Sequence, residues 1–131
     1  MENIVIIGAG AAGLIAAGNA ISLGKKVTII EKNSRPARKV MITGKGRCNL
    51  TNACSNQEFL ESVVSNPRFL YSAINQFSAY DTMDLFKHTL AIPLKIERGN
   101  RVFPVSDKAV DIVDGLAKYA KKAEFLYNTT F

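Results

Sequence analysis

Three glycines and one acid define the chemistry open to this chain. Gly8, Gly10 and Gly13 stand in the spacing G-x-G-x-x-G, and Glu31 follows at roughly the 20-residue distance of a dinucleotide fingerprint. Gly8 permits a tight turn, Gly10 lets a pyrophosphate approach the backbone, and Gly13 lets the next helix lie close to the strand before it. The N–H groups of Ala11 and Ala12, opening that helix, face the anion. Glu31 is placed to accept from the ribose hydroxyls of an adenosine, and its charge disfavours the 2′-phosphate of NADP. On these residues alone FAD and NAD both satisfy the pattern.

Past Glu31 the chain turns cationic, with Lys32, Arg35, Arg38 and Lys39 in eight residues. Thr43 to Asn52 follows, a polar loop in which Gly44, Gly46, Arg47, Asn49 and Thr51 make a poor core segment and a good lining for a polyanionic or heteroaromatic ligand. Cys48 and Cys54 match neither a C-x-x-C redox pair nor a zinc knuckle, and His88 is the one histidine. Cys48 therefore reads as a small packed side chain and His88 as an exposed helix residue. No residue qualifies as a substrate acid or base.

Positioning these groups requires a βαβ unit, and its signals are in register. Asn3–Ile7 is a β-branched strand, the small-residue helix runs from Ala11 to about Leu23 with Gly24 as its stop, and Lys26–Ile30 is the second strand. Phe59, Leu60, Val63 and Val64 then recur at helical spacing. A second helix follows Pro67 with Asn66 as its cap, and a third spans Tyr80 to Leu90. Leu94–Glu97 and Arg101–Phe103 alternate around Gly99 as a hairpin. Ser106 is placed to cap a helix with Val110, Val113, Leu116, Ala117 and Ala120 on its buried stripe, and Glu124–Asn128 is a further strand. A doubly wound sheet needs strands on both sides of the first; with three core strands visible, the expected domain is cut short.

The 131 residues, 47% hydrophobic, suit one globular domain and not a complete two-domain oxidoreductase. The formal charge of +6 is spread through the chain beside a phosphate fingerprint, so no nucleic-acid partner is expected. The N-terminal apolar run is too short for a membrane span and carries Glu2 where a signal peptide would be basic. These features predict no membrane partner and a cytoplasmic protein with reduced thiols.

Three stretches resemble one family: Ile7–Leu14; Glu31-Lys32-Asn33 running into Arg38-Lys39 and Thr43–Asn52; and Glu97–Lys108. They are similar to the aminoacetone-oxidase-type, NAD(P)/FAD-dependent oxidoreductase flavoproteins, a family with bile-acid-reducing members. The resemblance covers the whole chain and about the N-terminal third of a typical member. It implies an α/β fold over residues 1–131, a Rossmann-like, glutathione-reductase-like FAD-binding βαβ domain, truncated, with a helical and hairpin excursion at 56–104. It also implies FAD as cofactor, with NAD(P)H as electron donor to an oxidoreductase of which this is the FAD-binding portion. The alternative is a non-catalytic dinucleotide-binding fragment. A plain NAD module is disfavoured, because it has no use for the segment from Arg38 to Asn52.

By the same resemblance, Gly8, Gly10 and Gly13 bracket the pyrophosphate, while Lys32, Arg38 and Lys39 flank the phosphates or the ribose edge. Gly44, Gly46, Arg47, Asn49 and Thr51 line the path toward the flavin, and the main chain of Phe131 reads adenine. Ala37 stands where many members have glycine. An unpaired strand edge, with Phe125 and Tyr127 on the last strand, predicts self-association.

Overall fold

The computed structural model describes residues 2–131. In chain order its elements are β1 (Asn3–Ile7), α1 (Ala11–Ser22), β2 (Lys26–Ile30), α2 (Arg38–Ile42), β3 (Thr51–Asn52), α3 (Asn56–Glu61), α4 (Tyr71–Gln76), α5 (Ala79–Asp84), β4 (Leu94–Glu97), β5 (Arg101–Pro104), α6 (Ala109–Tyr119) and β6 (Glu124–Leu126). They form two compact units: Met1–Cys48 with Lys108–Phe131, and Asn49–Asp107.

The first unit is a parallel sheet in the order β1-β2-β6, with Ile7 opposite Ile30 and Ile30 opposite Leu126. Ile4 and Ile6 share their rows with the buried Val27 and Ile29. Val5, Ile7 and Leu126 point to the other face and are 54%, 60% and 39% exposed, whereas parallel sheets are ordinarily covered on both faces. The helix α1 lies close to the sheet because its contact face is Leu14, Ala17 and Gly18. A Cβ on Gly13 would collide with the Gly8 carbonyl and crowd Ile6, and one on Gly18 would collide with the Tyr119 ring of α6. Leu14, fully buried, contributes roughly 1.5–3 kcal/mol. The helix ends in a Schellman motif: Gly24 N–H donates to Ile21 C=O at 2.9 Å and Lys25 N–H to Ala20 C=O at 3.0 Å. On its other side α6 buries Ile112, Val113 and Leu116.

Two expectations change here. The helix α6 starts at Ala109 with Lys108 at its cap and no side-chain cap bond, so Ser106 does not cap it. Asp107 instead turns at φ 57° before the helix begins. The last strand ends at Leu126 and not Asn128, because Asn128 turns left-handed (φ 52°) and donates its N–H to the Asn33 carbonyl at 3.0 Å.

The second unit is an antiparallel sheet in the order β3-β5-β4, with Glu97 opposite Arg101 across a turn that holds Gly99 at φ 75°. The hairpin is as expected. Thr51–Asn52 is a strand of this sheet, paired with Val102 and Arg101, where a polar loop was expected. Capping boxes at Ser55/Glu58 and Ser78/Asp81 start α3 and α5, and α5 continues as a π-helical turn at Leu85–Thr89. The first of these helices stops at Glu61, short of the apolar run through Val64, since Ser62 Oγ donates back to the Glu58 carbonyl and competes with the helix. Pro67 opens a 3-10 turn as first residue, but Asn66 sits at φ 49° and caps nothing with its side chain. Met83 and Phe86 are buried together with Ile74 and Ala79. His88 is exposed and lies 3.8 Å from Asp84. Lys95, held by Asp107 at 2.8 Å and Glu97 at 3.2 Å, keeps its proton more tightly than a free lysine because both carboxylates hydrogen-bond it.

Candidate functional site

The carboxyl ends of β1 and β2 open onto a cavity of about 590 Å³ within the first unit, inside the range of roughly 300–1,000 Å³ typical of ligand pockets. Its floor is Gly8, Gly10 and Ala11, and one wall is Glu31, Lys32 and Asn33. Arg38 and Lys39 form a second wall, and Thr129 to Phe131 a third. Gly8 takes φ 97°, a conformation that a side chain resists, and a Cβ on Gly10 would meet nothing within 4 Å. The space above Gly10 is therefore open. At the start of α1, Gly10 offers no side chain to the first-turn N–H groups and no acid stands in that turn, so its donors are left for an external anion.

Glu31 is 7% exposed, and its carboxylate ties the site together. Oε2 accepts from Ala9 N–H at 2.8 Å, while Oε1 accepts from Asn33 N–H at 2.9 Å and Asn33 Nδ2 at 3.0 Å. The Asn33 Oδ1 in turn accepts from Arg38 Nη1 at 3.1 Å, and Ala37 N–H donates to the Ala9 carbonyl at 2.8 Å. These bonds make one chain from the glycine turn through Glu31 and Asn33 to Arg38. The Asn33 backbone bond, together with those from Ala9 and the Asn33 amide and the nearby Lys32 charge, holds the Glu31 carboxyl below the usual carboxylate range against the opposing effect of burial. Both oxygens thus have protein donors, and each keeps acceptor capacity.

Asn33 was not among the residues expected here. Its signal is its place two residues past the acid, where an asparagine side chain reaches back to a neighbouring group. Thr129 was also missed; its N–H donates to the Glu31 carbonyl at 3.1 Å and its Oγ1 to the Tyr127 carbonyl at 2.9 Å. Ala37, at φ 54° and buried, holds the left-handed turn that a glycine would take without strain.

Of the residues expected from the sequence, Gly8, Gly10, Ala11, Glu31, Lys32, Arg38, Lys39 and Phe131 line this cavity. Ala12 and Gly13 continue α1 behind it. Phe131 is 88% exposed. From the polar loop only Thr43 joins the lining, while Gly44 and Gly46 shape a tight turn at φ 55° and 84° beside Arg47. Asn49 and Thr51 belong to the second unit, where the Asn49 amide nitrogen, turned to the backbone, donates to the Thr51 carbonyl at 3.0 Å. Cys48 is buried at φ 59°, and burial pushes its thiol pKa up, which keeps it protonated. Among the described residues no group of three metal-ligating side chains comes together, and no helix is long and apolar enough to cross a membrane.

The charge is not spread evenly. Twelve of the seventeen Lys/Arg but five of the eleven Asp/Glu fall in the first unit, a formal +7 against −1 in the second.

A family model described as the HI0933-like protein Rossmann domain matches residues 2–130. The ribosomal RNA dihydrouridine synthase of Escherichia coli (strain K12) is 37% identical over 128 residues, 97% of this chain and 30% of its own length. The 3-dehydro-bile acid delta(4,6)-reductase of Clostridium scindens is 34% identical over 116 residues, 87% of this chain and 27% of its own length. The chain thus spans about 30% of the length of these curated relatives. Among solved structures, the open conformation of a flavocytochrome c3 fumarate reductase matches with a TM-score of 0.60 at 22% identity, covering 97% of this chain and 27% of that one, a likeness of fold.

Proposed function

The chain belongs to the HI0933-like Rossmann domain family, and on that premise we propose that it is the FAD-binding portion of a cytoplasmic oxidoreductase that reduces a carbon–carbon double bond conjugated to a carbonyl. The observation that carries the cofactor reading is the open space over Gly10 at an uncapped helix start, flanked by a hydrogen-bonded acid and three cations. A pyrophosphate over Gly10 would take the free donors of α1, with Lys32, Arg38 and Lys39 offsetting its charge. The ribose would meet the remaining acceptor capacity of Glu31. Adenine would lie against Thr129–Phe131, where the main chain of Phe131 has no partner among the described residues. Gly44, Gly46, Arg47, Asn49 and Thr51 remain proposed contacts toward the flavin end, on the strength of the family motif that they complete.

A flavin held by these residues would supply hydride transfer from NAD(P)H to an acceptor, while the protein supplies binding and orientation. The substrate class comes from the relatives. Forming dihydrouridine and reducing a Δ4,6 bile-acid ketone each add hydrogen across a double bond that a carbonyl polarises. Residues 56–104 are proposed as an excursion from the dinucleotide-binding unit, and the uncovered sheet face as the site of self-association.

Titration calorimetry of the purified chain with FAD and with NAD tests the cofactor. FAD should bind more tightly, and tighter NAD binding would sink the assignment. A full-length relative reconstituted with NADPH should reduce a uridine-containing ribosomal RNA fragment or a steroid dienone, and activity toward neither would remove the substrate class.

A further inference from the structure

Every polar group of Asn33 has a partner within the first unit. Its backbone N–H donates to Glu31 Oε1 at 2.9 Å and its carbonyl accepts from Asn128 N–H at 3.0 Å, while Nδ2 donates to Glu31 Oε1 at 3.0 Å and Oδ1 accepts from Arg38 Nη1 at 3.1 Å. These partners belong to, or lead into, all three walls of the dinucleotide cavity: Glu31 follows β2, Arg38 opens α2, and Asn128 turns the chain toward Thr129–Phe131. We propose that Asn33 is a positioning residue for the dinucleotide, holding the Arg38 guanidinium ready for the pyrophosphate while its amide steadies the carboxylate that meets the ribose. The role rests on the dinucleotide reading of this cavity given above.

The amide suits this place in a way that other side chains of its size do not. Its NH2 faces an anion and its oxygen faces a cation; reversed, both bonds would become repulsions, so the charges on either side fix its orientation. Aspartate would keep an acceptor for Arg38 but set a second carboxylate against Glu31, and leucine would keep neither bond. Of the three cations that line the cavity, Arg38 is the one held in this way, since among the described residues Lys32 and Lys39 make no side-chain hydrogen bond or ion pair. The restraint matters because Arg38 also borders a neighbouring groove of about 810 Å³, whose lining carries the carboxylate of Asp114. Without the Asn33 oxygen the guanidinium is free to turn to that side. One of its N–H donors goes to Asn33, and the others are left for phosphate oxygens. A side chain already ordered in the free protein loses less entropy when its ligand arrives.

Titration calorimetry with ADP and with adenosine, for the wild type, Asn33→Ala, Arg38→Ala and the double variant, tests the assignment. In Asn33→Ala the backbone bonds at this position survive, and Glu31 keeps two of its donors, Ala9 N–H and the backbone N–H at position 33. Adenosine affinity should therefore stay within about twofold of wild type, while ADP affinity should fall about fivefold. In the Arg38→Ala background the same substitution should cost ADP less than about twofold, because the group that Asn33 positions is gone. Asn33→Ser, whose hydroxyl donates and accepts at once, should recover part of the ADP loss, and it takes the place of Asn33→Ala in the cycle if circular dichroism shows that the alanine variant does not fold. Equal losses for ADP and adenosine, or an effect on ADP undiminished in the Arg38→Ala background, would overturn the proposal and leave the dinucleotide reading intact. Tighter binding of NAD than of FAD would remove the FAD assignment alone, since both carry the ADP moiety on which Asn33 is tested. A wild type that binds no ADP would overturn the proposal and the dinucleotide reading together.

Discussion

Replacing Glu31 with glutamine tests whether this acid is chiefly a ligand group or a structural clasp. The carboxylate accepts three donors, from Ala9 N–H, Asn33 N–H and Asn33 Nδ2. Glutamine keeps the shape and one acceptor oxygen but puts an NH2 where the second oxygen was. If its oxygen stays with Asn33, the NH2 faces the Ala9 N–H; if it turns to Ala9, the NH2 faces the Asn33 N–H. One backbone donor loses its acceptor either way, and Ala9 is fully buried. An unsatisfied buried donor costs about 1–3 kcal/mol. At roughly 4 °C per kcal/mol for a chain of this size, Glu31→Gln should melt about 4–12 °C below the wild type. Scanning calorimetry without cofactor reads this directly. The pH dependence adds a second constraint. Because the folded carboxyl is held below its unfolded value, its stabilisation is fully present above the unfolded Glu pKa of about 4.3 and is lost as pH falls toward the folded value. The gap between wild type and variant should therefore close below about pH 4. A variant that melts within a degree of wild type at neutral pH, yet loses FAD affinity, would refute the clasp. So would a gap that widens in acid.

Gly10→Val should leave the fold intact, since a Cβ there meets nothing within 4 Å, yet block FAD; Gly13→Ala should instead destabilise the fold by collision with the Gly8 carbonyl. Circular dichroism paired with FAD titration separates the two, and retained FAD affinity in Gly10→Val would show that the pyrophosphate does not cross this turn. Ala37→Gly should raise stability by about 0.5–1 kcal/mol by relieving its left-handed strain, less the cost of a freer unfolded chain, as read by thermal unfolding. Cys48 should react far more slowly with a thiol reagent in the native chain than after denaturation, because it is buried and protonated at neutral pH. The uncovered face carrying Val5, Ile7 and Leu126 should drive self-association, which light scattering over a range of concentrations detects; a monomer throughout would argue against it.

What the sequence determined by itself was whatever depends on neighbours along the chain. The βαβ unit was legible because its signals are local: β-branched runs, glycines at fixed offsets, the stop at Gly24 and an acid at the end of β2. The hairpin around Gly99 followed for the same reason. Of the cavity lining, the glycine turn, Glu31, Lys32, Arg38 and Lys39 stand in local motifs, whereas Phe131 was expected only through the family resemblance. Tertiary structure decided the rest. Thr51 and Asn52 look like loop until Val102 and Arg101, about fifty residues on, offer them a ladder. Along the chain Glu31 reads only as a ribose acceptor; that it also clasps the glycine turn is seen once the fold brings Ala9 N–H to its Oε2 across 22 residues. The basic residues look evenly scattered until the chain returns at Lys108 and gathers twelve of them into one unit. In each case the deciding energy is a long-range pairing of backbone donors or a summed field of charges. Such terms depend on which segments meet in space, and local periodicity carries no record of that.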